Sequence, residues 1–342
     1  MIKVLTIDHR EQWISYVNKA AEYDSFHTWN FHSLDRSGIP LLFIYEESID
    51  FIAIPFIKRC IPETAYNDLS SVYGFVGPIS NKRMSQLTES FKHKFRLSLI
   101  QFLTDQNCVT IFSRTHPFFD QCPLLEKFGG IYENGVILVM DLTIPIDEQR
   151  QLYGSKTYKA IKNAWKQGFK LKDEKSREAI DIFLSIYGET MDRVGATDYY
   201  RFNREYIWSL FDTEEYDARL LTAYDGDTPM ASTIVLISNG IIQAYLMGTR
   251  QAYLKYSPAK YIVDSVSEIG RSLGLKYYNL GGGLGFKEDG LFDWKASFTK
   301  LRLKYRSWRY IADPIIYKKL LNDKGIRDQL DVDFFPLYRY SK

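Results

Sequence analysis

The sequence predicts a repeated α+β fold with mixed, mostly antiparallel sheets flanked by helices. Three observations lead to this prediction. The two halves follow the same order of elements, with strands, a helix and then another strand. The early strands of each half are hairpin-linked, so the sheets are not doubly wound. The chain has 342 residues, 45% of them apolar, which is enough for two domains. We place these domains at residues 1–145 and 146–342.

In the first half, residues 41–47 and 50–59 form two apolar runs separated by a short polar turn, which predicts a hairpin. Residues 84–103 predict a helix. Residues 108–114 predict a buried strand, and the run "GVILVMDLTI" over 135–144 closes the half with another strand.

The second half repeats this order. Residues 218–238 read as strand, turn and strand with Asp-Gly at the bend, and 240–249 continue the meander. A helix over 259–274 precedes a strand over 275–281. The helix is indicated by apolar side chains at helical spacing, namely Ile262, Val263, Val266, Ile269 and Leu273.

Charge and cysteine usage exclude several classes of protein. The formal net charge is +2, which is too small for a dedicated DNA- or RNA-binding protein. The cysteines Cys60, Cys108 and Cys122 match no metal-binding spacing, so we expect a reducing compartment and no metal. The start lacks a signal-peptide pattern, and no stretch reaches the ~20 apolar residues of a membrane span. We therefore expect a cytoplasmic protein, or one in peripheral contact with the inner face of the membrane.

The second half lacks two common catalytic side chains. All five histidines and all three cysteines lie within the first 122 residues. A Ser-His-Asp or Cys-His device built from the second half alone is therefore excluded. Lysine, arginine, tyrosine, carboxylates and backbone amides remain. They suit a transfer between two bound, already activated partners, in which positioning and charge stabilisation lower the barrier.

Glycines are dense at the end of the last predicted strand. This glycine run does not match the dinucleotide-binding motif G-x-G-x-x-G, because Phe286 and Glu288 occupy the positions where the last glycine of the motif would fall. A dinucleotide site is therefore not expected. Two interpretations stay open. Either the strand end needs positive φ or close backbone approach, or it lines a substrate cleft. The residues of the proposed cleft are Gly281, Gly282, Gly283, Gly285, Trp294 and Arg250.

Lys295 follows this run beside a bulky aromatic side chain. Its ammonium could stabilise an oxyanion or hold a phosphate; the alternative is a solvated loop lysine. Candidate partners are Asp289 and, on the preceding meander, Tyr245, which would orient an acceptor amine or relay its proton.

Two further stretches suit anions. Serine and proline open the helix at 257–260, where free N–H groups favour phosphate, although many such helix starts bind only water. The predicted donor-phosphate residues are Lys255, Ser257, Pro258, Ala259 and Lys260.

In "SKTYKAIKNAWKQGFK", the lysines share one face of a predicted helix, and Gly168 is a natural end for that helix. This face is either a solvated surface or a surface for tRNA, a nucleotide-linked substrate or anionic headgroups; its lysines are Lys156, Lys159, Lys162 and Lys166.

The segment "YYNLGGGLGFKEDGLFDWKASFTKLRLKYRSWRYIADPIIYKKL" resembles the C-terminal signature of Fem-like proteins, the Fem-type peptidoglycan aminoacyltransferases and their relatives. The stretches "FHTWNFHSLDRSG", "DLSSVYGFVGPIS", "YGSKTYKAIKNAWKQGFKLK" and "MDRVGATDYYRFNREYI" agree in order, so the resemblance spans nearly the whole chain. It implies tandem GNAT-like domains. It also implies transfer from aminoacyl-tRNA to an amine of a peptidoglycan or surface-polysaccharide precursor, with Lys295 stabilising charge at the reacting carbonyl.

The sequence departs from the family pattern at three points. Trp294 replaces the usual phenylalanine, no long helical hairpin is present, and "RQAYLKYSPAK" lacks the glycines of a coenzyme A loop. Besides the Fem-like function we therefore retain two alternatives. One is an N-acyltransferase that uses acyl-CoA or acyl-carrier protein and acts on an amino sugar. The other is an inert binding module. No tightly bound cofactor is expected.

Overall fold

The computed structural model describes residues 1–326 and 332–340 and divides into two compact units. The first unit comprises Met1–Asn134 and Lys304–Lys342, and the second comprises Gly135–Leu303. The predicted boundary after residue 145 thus differs from the observed one. The C-terminal segment from Lys304, which we had assigned to the second domain, belongs to the first unit.

Strands and helices are numbered in chain order over the described residues. The strands are β1 Ile2–Thr6, β2 Ile39–Glu47, β3 Asp50–Cys60, β4 Asn67–Ser70, β5 Ile79–Ser80, β6 Cys108–Arg114, β7 Ile131–Asp141, β8 Lys170–Asp173, β9 Asp217–Asp225, β10 Thr228–Ser238, β11 Ile241–Thr249, β12 Tyr277–Gly281 and β13 Leu301–Ile311. The helices are α1 Arg10–Lys19, α2 Trp29–Ser33, α3 Glu89–Asp105, α4 Cys122–Leu125, α5 Ile146–Gln151, α6 Ser155–Gln167, α7 Arg177–Val194, α8 Arg204–Phe211, α9 Pro258–Ser272, α10 Gly290–Ala296 and α11 Pro314–Asp323.

The two units share one topology. In the first, the strand order is β1-β2-β3-β4-β6-β13, and in the second it is β8-β9-β10-β11-β12-β7. The first four strands of each order are antiparallel neighbours. The fourth and fifth strands are parallel, joined by the crossover helices α3 and α9. The last strand of each order is antiparallel. The predicted repeated α+β fold is confirmed.

The sixth strand of each sheet comes from the other half of the sequence. β7 follows β6 in the chain but pairs with β12, whereas β13 follows β12 and pairs with β6. The first unit therefore takes β13 from the end of the chain, whereas the paired part of β7 opens the contiguous segment of the second unit. This exchange explains why a boundary drawn from sequence order differs from the observed one.

Local sequence explains the element ends near the site. α6 stops at Gly168, which adopts the left-handed conformation with φ 72° as predicted. In α9, Ile262, Val263 and Val266 are fully buried in the core of the second unit. Leu273, the last of the apolar residues at helical spacing, is 46% exposed at the end of the helix. Within the described residues no helix combines the length and apolar content of a membrane span.

The first unit contains a buried group of histidines. His116 Nε2 lies 3.2 Å from Asp24 Oδ2, and the backbone N–H of Asp24 donates to His27 Nδ1 at 3.0 Å. His32 Nδ1 contacts the Thr28 carbonyl oxygen at 3.0 Å. Burial disfavours the imidazolium form, so the pKa of His27 falls to about 3 and that of His32 to about 4.

These histidines predict loss of stability in mild acid. An unfolded histidine titrates near pH 6.5, so between that pH and about 4 the unfolded chain binds more protons than the folded chain. Stability should fall as pH drops through this window, by up to about 1.4 kcal/mol per pH unit for each of His27 and His32. We expect His32→Gln to flatten this dependence in urea unfolding between pH 7 and 5.

The exposed His93 provides the matched control. His93→Gln should retain the pH dependence of the parent protein, because it leaves the buried histidines His27 and His32 in place. An unchanged slope in His32→Gln would contradict the role assigned to burial.

Candidate functional site

The parallel strands β11 and β12 form a fork in the second unit. They pair over Ile241–Gln243 and Tyr277–Asn279. Beyond this point β11 continues to Thr249 alongside β10. β11 contains a β-bulge directly after the paired part. Ile234 and Val235 are neighbours on β10, but their partners on β11 are Leu246 and Ala244, so Tyr245 is the extra residue of the bulge.

The corresponding strands of the first unit stay joined. After β4, the Ser71 N–H donates to the Phe112 carbonyl oxygen at 2.8 Å, and the Val76 N–H donates to the Arg114 carbonyl oxygen at 2.8 Å. A parallel bridge between Val76 and Thr115 extends the contact past the end of β6. Two copies of one topology therefore differ at this point. The open fork marks the second unit as the candidate site.

Two buried amide side chains connect the strands where the fork opens. Asn279 Nδ2 donates to Gln243 Oε1 at 2.7 Å, and Asn279 Oδ1 accepts from the Gly281 N–H at 2.9 Å. Both side chains are almost fully buried, so each satisfied hydrogen bond avoids a desolvation cost. Sequence analysis missed both residues. Their signal is a single amide within an otherwise apolar strand, as in "GIIQAYLMG" and "YYNLGGG".

The glycine run forms a loop that approaches its own backbone closely. Gly281 has φ +74°, and a Cβ there would lie 3.3 Å from Lys295 Nζ. A Cβ on Gly283 would lie 2.0 Å from the Lys287 carbonyl oxygen. The interpretation that the strand end needs positive φ and close backbone approach is therefore confirmed, and the glycines also bring backbone beside a lysine.

Lys295 lies in the last turn of α10, not in the expected loop. Its Nζ donates to the Gly282 carbonyl oxygen at 2.6 Å, and its side chain is half-buried. Removal from water lowers the pKa of Lys295 to about 8, while the Asp289 carboxylate opposes this shift. An ammonium with this pKa is mostly protonated at neutral pH and can donate hydrogen bonds to a developing negative charge.

Asp289 caps α10. Its Oδ1 accepts from the Phe292 N–H at 2.9 Å and its Oδ2 accepts from the Leu284 N–H at 3.0 Å. These backbone donors lower the pKa of Asp289. The expected proton relay through Asp289 thus has a structural alternative, because both carboxylate oxygens hold the loop and the helix together.

Tyr245 hydrogen-bonds through its hydroxyl group to that of Tyr206 on α8. Burial raises the pKa of Tyr245 well above its usual value, so the phenol stays neutral and can orient a group without acting as a base. The two side chains predicted to line the substrate cleft, Trp294 and Arg250, have partners within the unit. Trp294 packs edge-on against Phe298, and Arg250 pairs with Glu189.

The start of α9 has the features of an anion site. Pro258 is its first residue, as predicted. Ser257 adopts φ 55°, and its side chain does not cap the helix, which corrects the expected serine cap. Burial and the nearby Lys156 lower the pKa of Lys260. Lys255 lies over the Tyr256 ring at 4.9 Å, and Ala259 lies in the first turn.

The equivalent helix of the first unit differs. Thr88 caps α3 by accepting from the Phe91 N–H at 3.2 Å, and Glu89 places a negative charge in the first turn. The start of α9 lacks both features and carries Lys260, so it suits a phosphate better.

Residues 155–296 match the family described as acetyltransferase (GNAT) domain. The match agrees with the GNAT-like fold predicted for the second domain. The matched segment contains the fork, the start of α9 and Lys295, and the predicted acyltransferase class is confirmed. The match covers less than half of the chain. No curated protein is significantly similar to the sequence.

Solved structures confirm the resemblance to Fem-like proteins at the level of the fold. FemX superposes with a TM-score of 0.72 at 12% identity, covering 93% of this chain and 99% of that chain. L-PGS from Bacillus licheniformis gives 0.61 at 13%, covering 92% and 96%. A tandem GNAT protein from the clavulanic acid biosynthesis pathway gives 0.50 at 7%, covering 92% and 99%.

The role of Asp289 can be tested by two substitutions. Asp289→Asn keeps one oxygen that can accept from the Phe292 N–H but loses the acceptor for the Leu284 N–H, so it should retain part of the thermal stability that Asp289→Ala loses. It also removes the charge that supports the ammonium of Lys295, so the upper pKa of its pH–rate profile should move to lower pH. Equal stability of the two variants would refute the capping role.

The amide pair predicts measurable coupling between the two strands. Asn279→Ala should cost about 1–3 kcal/mol of unfolding free energy, because it leaves buried polar partners unpaired. In a double-mutant cycle with Gln243→Ala, the coupling energy should be about 0.5–3 kcal/mol. Additive losses in urea unfolding would show that the pair does not hold the fork.

Proposed function

We propose that this protein transfers an activated acyl or aminoacyl group to an amine of a cell-envelope precursor. The open fork of the GNAT domain is the observation that supports this proposal. The same domain contains the N-terminus of α9, which has no side-chain cap, and the half-buried Lys295. The donor's phosphate would bind at the start of α9, and its carbonyl carbon would react near Lys295.

The chemistry follows from groups in this domain. The acceptor amine attacks the donor carbonyl, a C–N bond forms, and negative charge develops on the carbonyl oxygen. Lys295 stabilises that charge as a hydrogen-bond donor, and the Gly282 carbonyl oxygen fixes its direction. The bond to the leaving sulfur or oxygen then breaks, and the proton lost by the amine passes to that atom. The neutral phenol of Tyr245 orients the amine.

The donor defines two versions of this proposal. The resemblance to Fem-like proteins favours aminoacyl-tRNA and a peptidoglycan precursor. The GNAT match over residues 155–296 favours acyl-CoA, with an amino sugar as acceptor. Thermal shift with coenzyme A and with aminoacyl-tRNA, each added alone, distinguishes them because a ligand that binds the folded state raises its apparent stability. Absence of a shift and of transfer with both donors would refute the proposal.

Replacement of Lys295 should reduce turnover. We expect Lys295→Ala to lower kcat about 10²- to 10³-fold, as removal of one oxyanion donor does. In the parent protein kcat/KM should fall above about pH 8, because the ammonium loses its proton there. Lys295→Arg should lack this decline, since a guanidinium stays charged. The measurement is the pH dependence of amide formation.

The exposed Lys300 provides the control. Lys300→Ala should retain turnover and its pH profile. If kcat/KM of the parent protein rose through pH 8, Lys295 would act as a base and the oxyanion role would be wrong.

A further inference from the structure

α6 presents a surface that the proposed chemistry does not use. It carries Lys156, Lys159, Lys162 and Lys166 and contains no aspartate or glutamate. All four lysines are exposed, and within the described part of the chain none forms an ion pair. They extend over about 15 Å at the rise of an α-helix. We call this set the α6 lysine face.

Aromatic side chains border the α6 lysine face. Trp165 is 39% exposed and meets Tyr158 edge-on, with ring centroids 6.4 Å apart. Lys162 Nζ lies 4.6 Å from the centre of the Tyr158 ring, and the Arg150 guanidinium lies 4.6 Å from that of Trp165. The surface therefore combines cations with partly exposed apolar rings.

The opposite side of α6 is fixed in the second unit. Ile161 and Ala164 are buried in its core, and Thr157 donates to Ser297 Oγ at 2.7 Å. The Ser297 carbonyl oxygen accepts from the Gly154 N–H at 2.8 Å. Ser297 ends α10, the helix that carries Lys295, so a partner on α6 would be held by the same rigid framework as the candidate site.

We propose that the α6 lysine face docks on an anionic phospholipid surface. Lysine heads with flexible stems suit diffuse headgroup charge, and tryptophan partitions to the membrane interface. An RNA site would favour arginine, whose fork binds phosphate in a bidentate manner, yet the face contains only lysine. The net charge of +2 for the whole chain also disfavours a dedicated nucleic-acid surface.

Vesicle co-sedimentation of the full chain tests this proposal without any substrate. The protein should sediment with phosphatidylcholine vesicles that contain phosphatidylglycerol, and much less with phosphatidylcholine alone. Combining Lys159→Gln, Lys162→Gln and Lys166→Gln should weaken binding at least about tenfold, because each lysine near the surface contributes. Trp165→Ala should also weaken it, and the remaining binding should stay sensitive to salt.

The matched control removes three exposed lysines from α11 and its end, Lys318, Lys319 and Lys324. Their replacement by glutamine changes net charge equally and should retain vesicle binding. Equal loss in both triple variants, or absence of binding by the parent protein, would overturn the proposal. Binding of mixed tRNA that the α6 substitutions abolish, without vesicle binding, would assign the face to RNA instead. These outcomes do not depend on turnover, so they are separate from failure of the proposed reaction.

Discussion

The hydrogen bond between Asn279 and Gln243 is the interaction on which the candidate site depends. It joins β11 and β12 at the last residues they share, and Asn279 then accepts from the Gly281 N–H. The loop that begins there supplies the Gly282 carbonyl oxygen that holds Lys295. A continuous set of contacts therefore runs from a buried amide to the proposed catalytic ammonium. Because both amides are buried, replacing either one removes a hydrogen bond at a position where the desolvation cost of a polar group is high.

The two units share one topology but differ in strand pairing and in the capping of the crossover helix. In the first unit, backbone hydrogen bonds continue past β4 to Val76, and the crossover helix is capped by Thr88. In the second, β11 bulges at Tyr245 and the crossover helix begins without a side-chain cap. Small differences in pairing and capping thus distinguish the candidate site of the second unit from the equivalent part of the first. The fold alone does not produce them.

The half-buried Lys295 and the exposed lysines of α6 differ in their exposure to water, and this difference changes what their side chains can do. Lys295 is half-buried against a carbonyl oxygen, which brings its pKa into a range where its proton state can affect turnover. The lysines on the outer face of α6 are solvated, so their collective charge is what they offer a partner. The proposed oxyanion role of Lys295 and the proposed docking of α6 on lipid therefore depend on different properties of the same type of side chain.

The sequence by itself determined the repeated α+β order and the approximate bounds of several strands and helices, and it singled out Lys295 as a candidate, because apolar periodicity, turn residues and family motifs are local signals. Tertiary structure decided which strand completes each sheet, since the exchange of β7 and β13 depends on pairing between residues far apart in the chain. It also gave Asp289 a capping position and brought Gln243 to Asn279. Pairing between two strands that are distant in the chain produces no periodic pattern in the sequence of either strand, so it can be identified only from the folded structure.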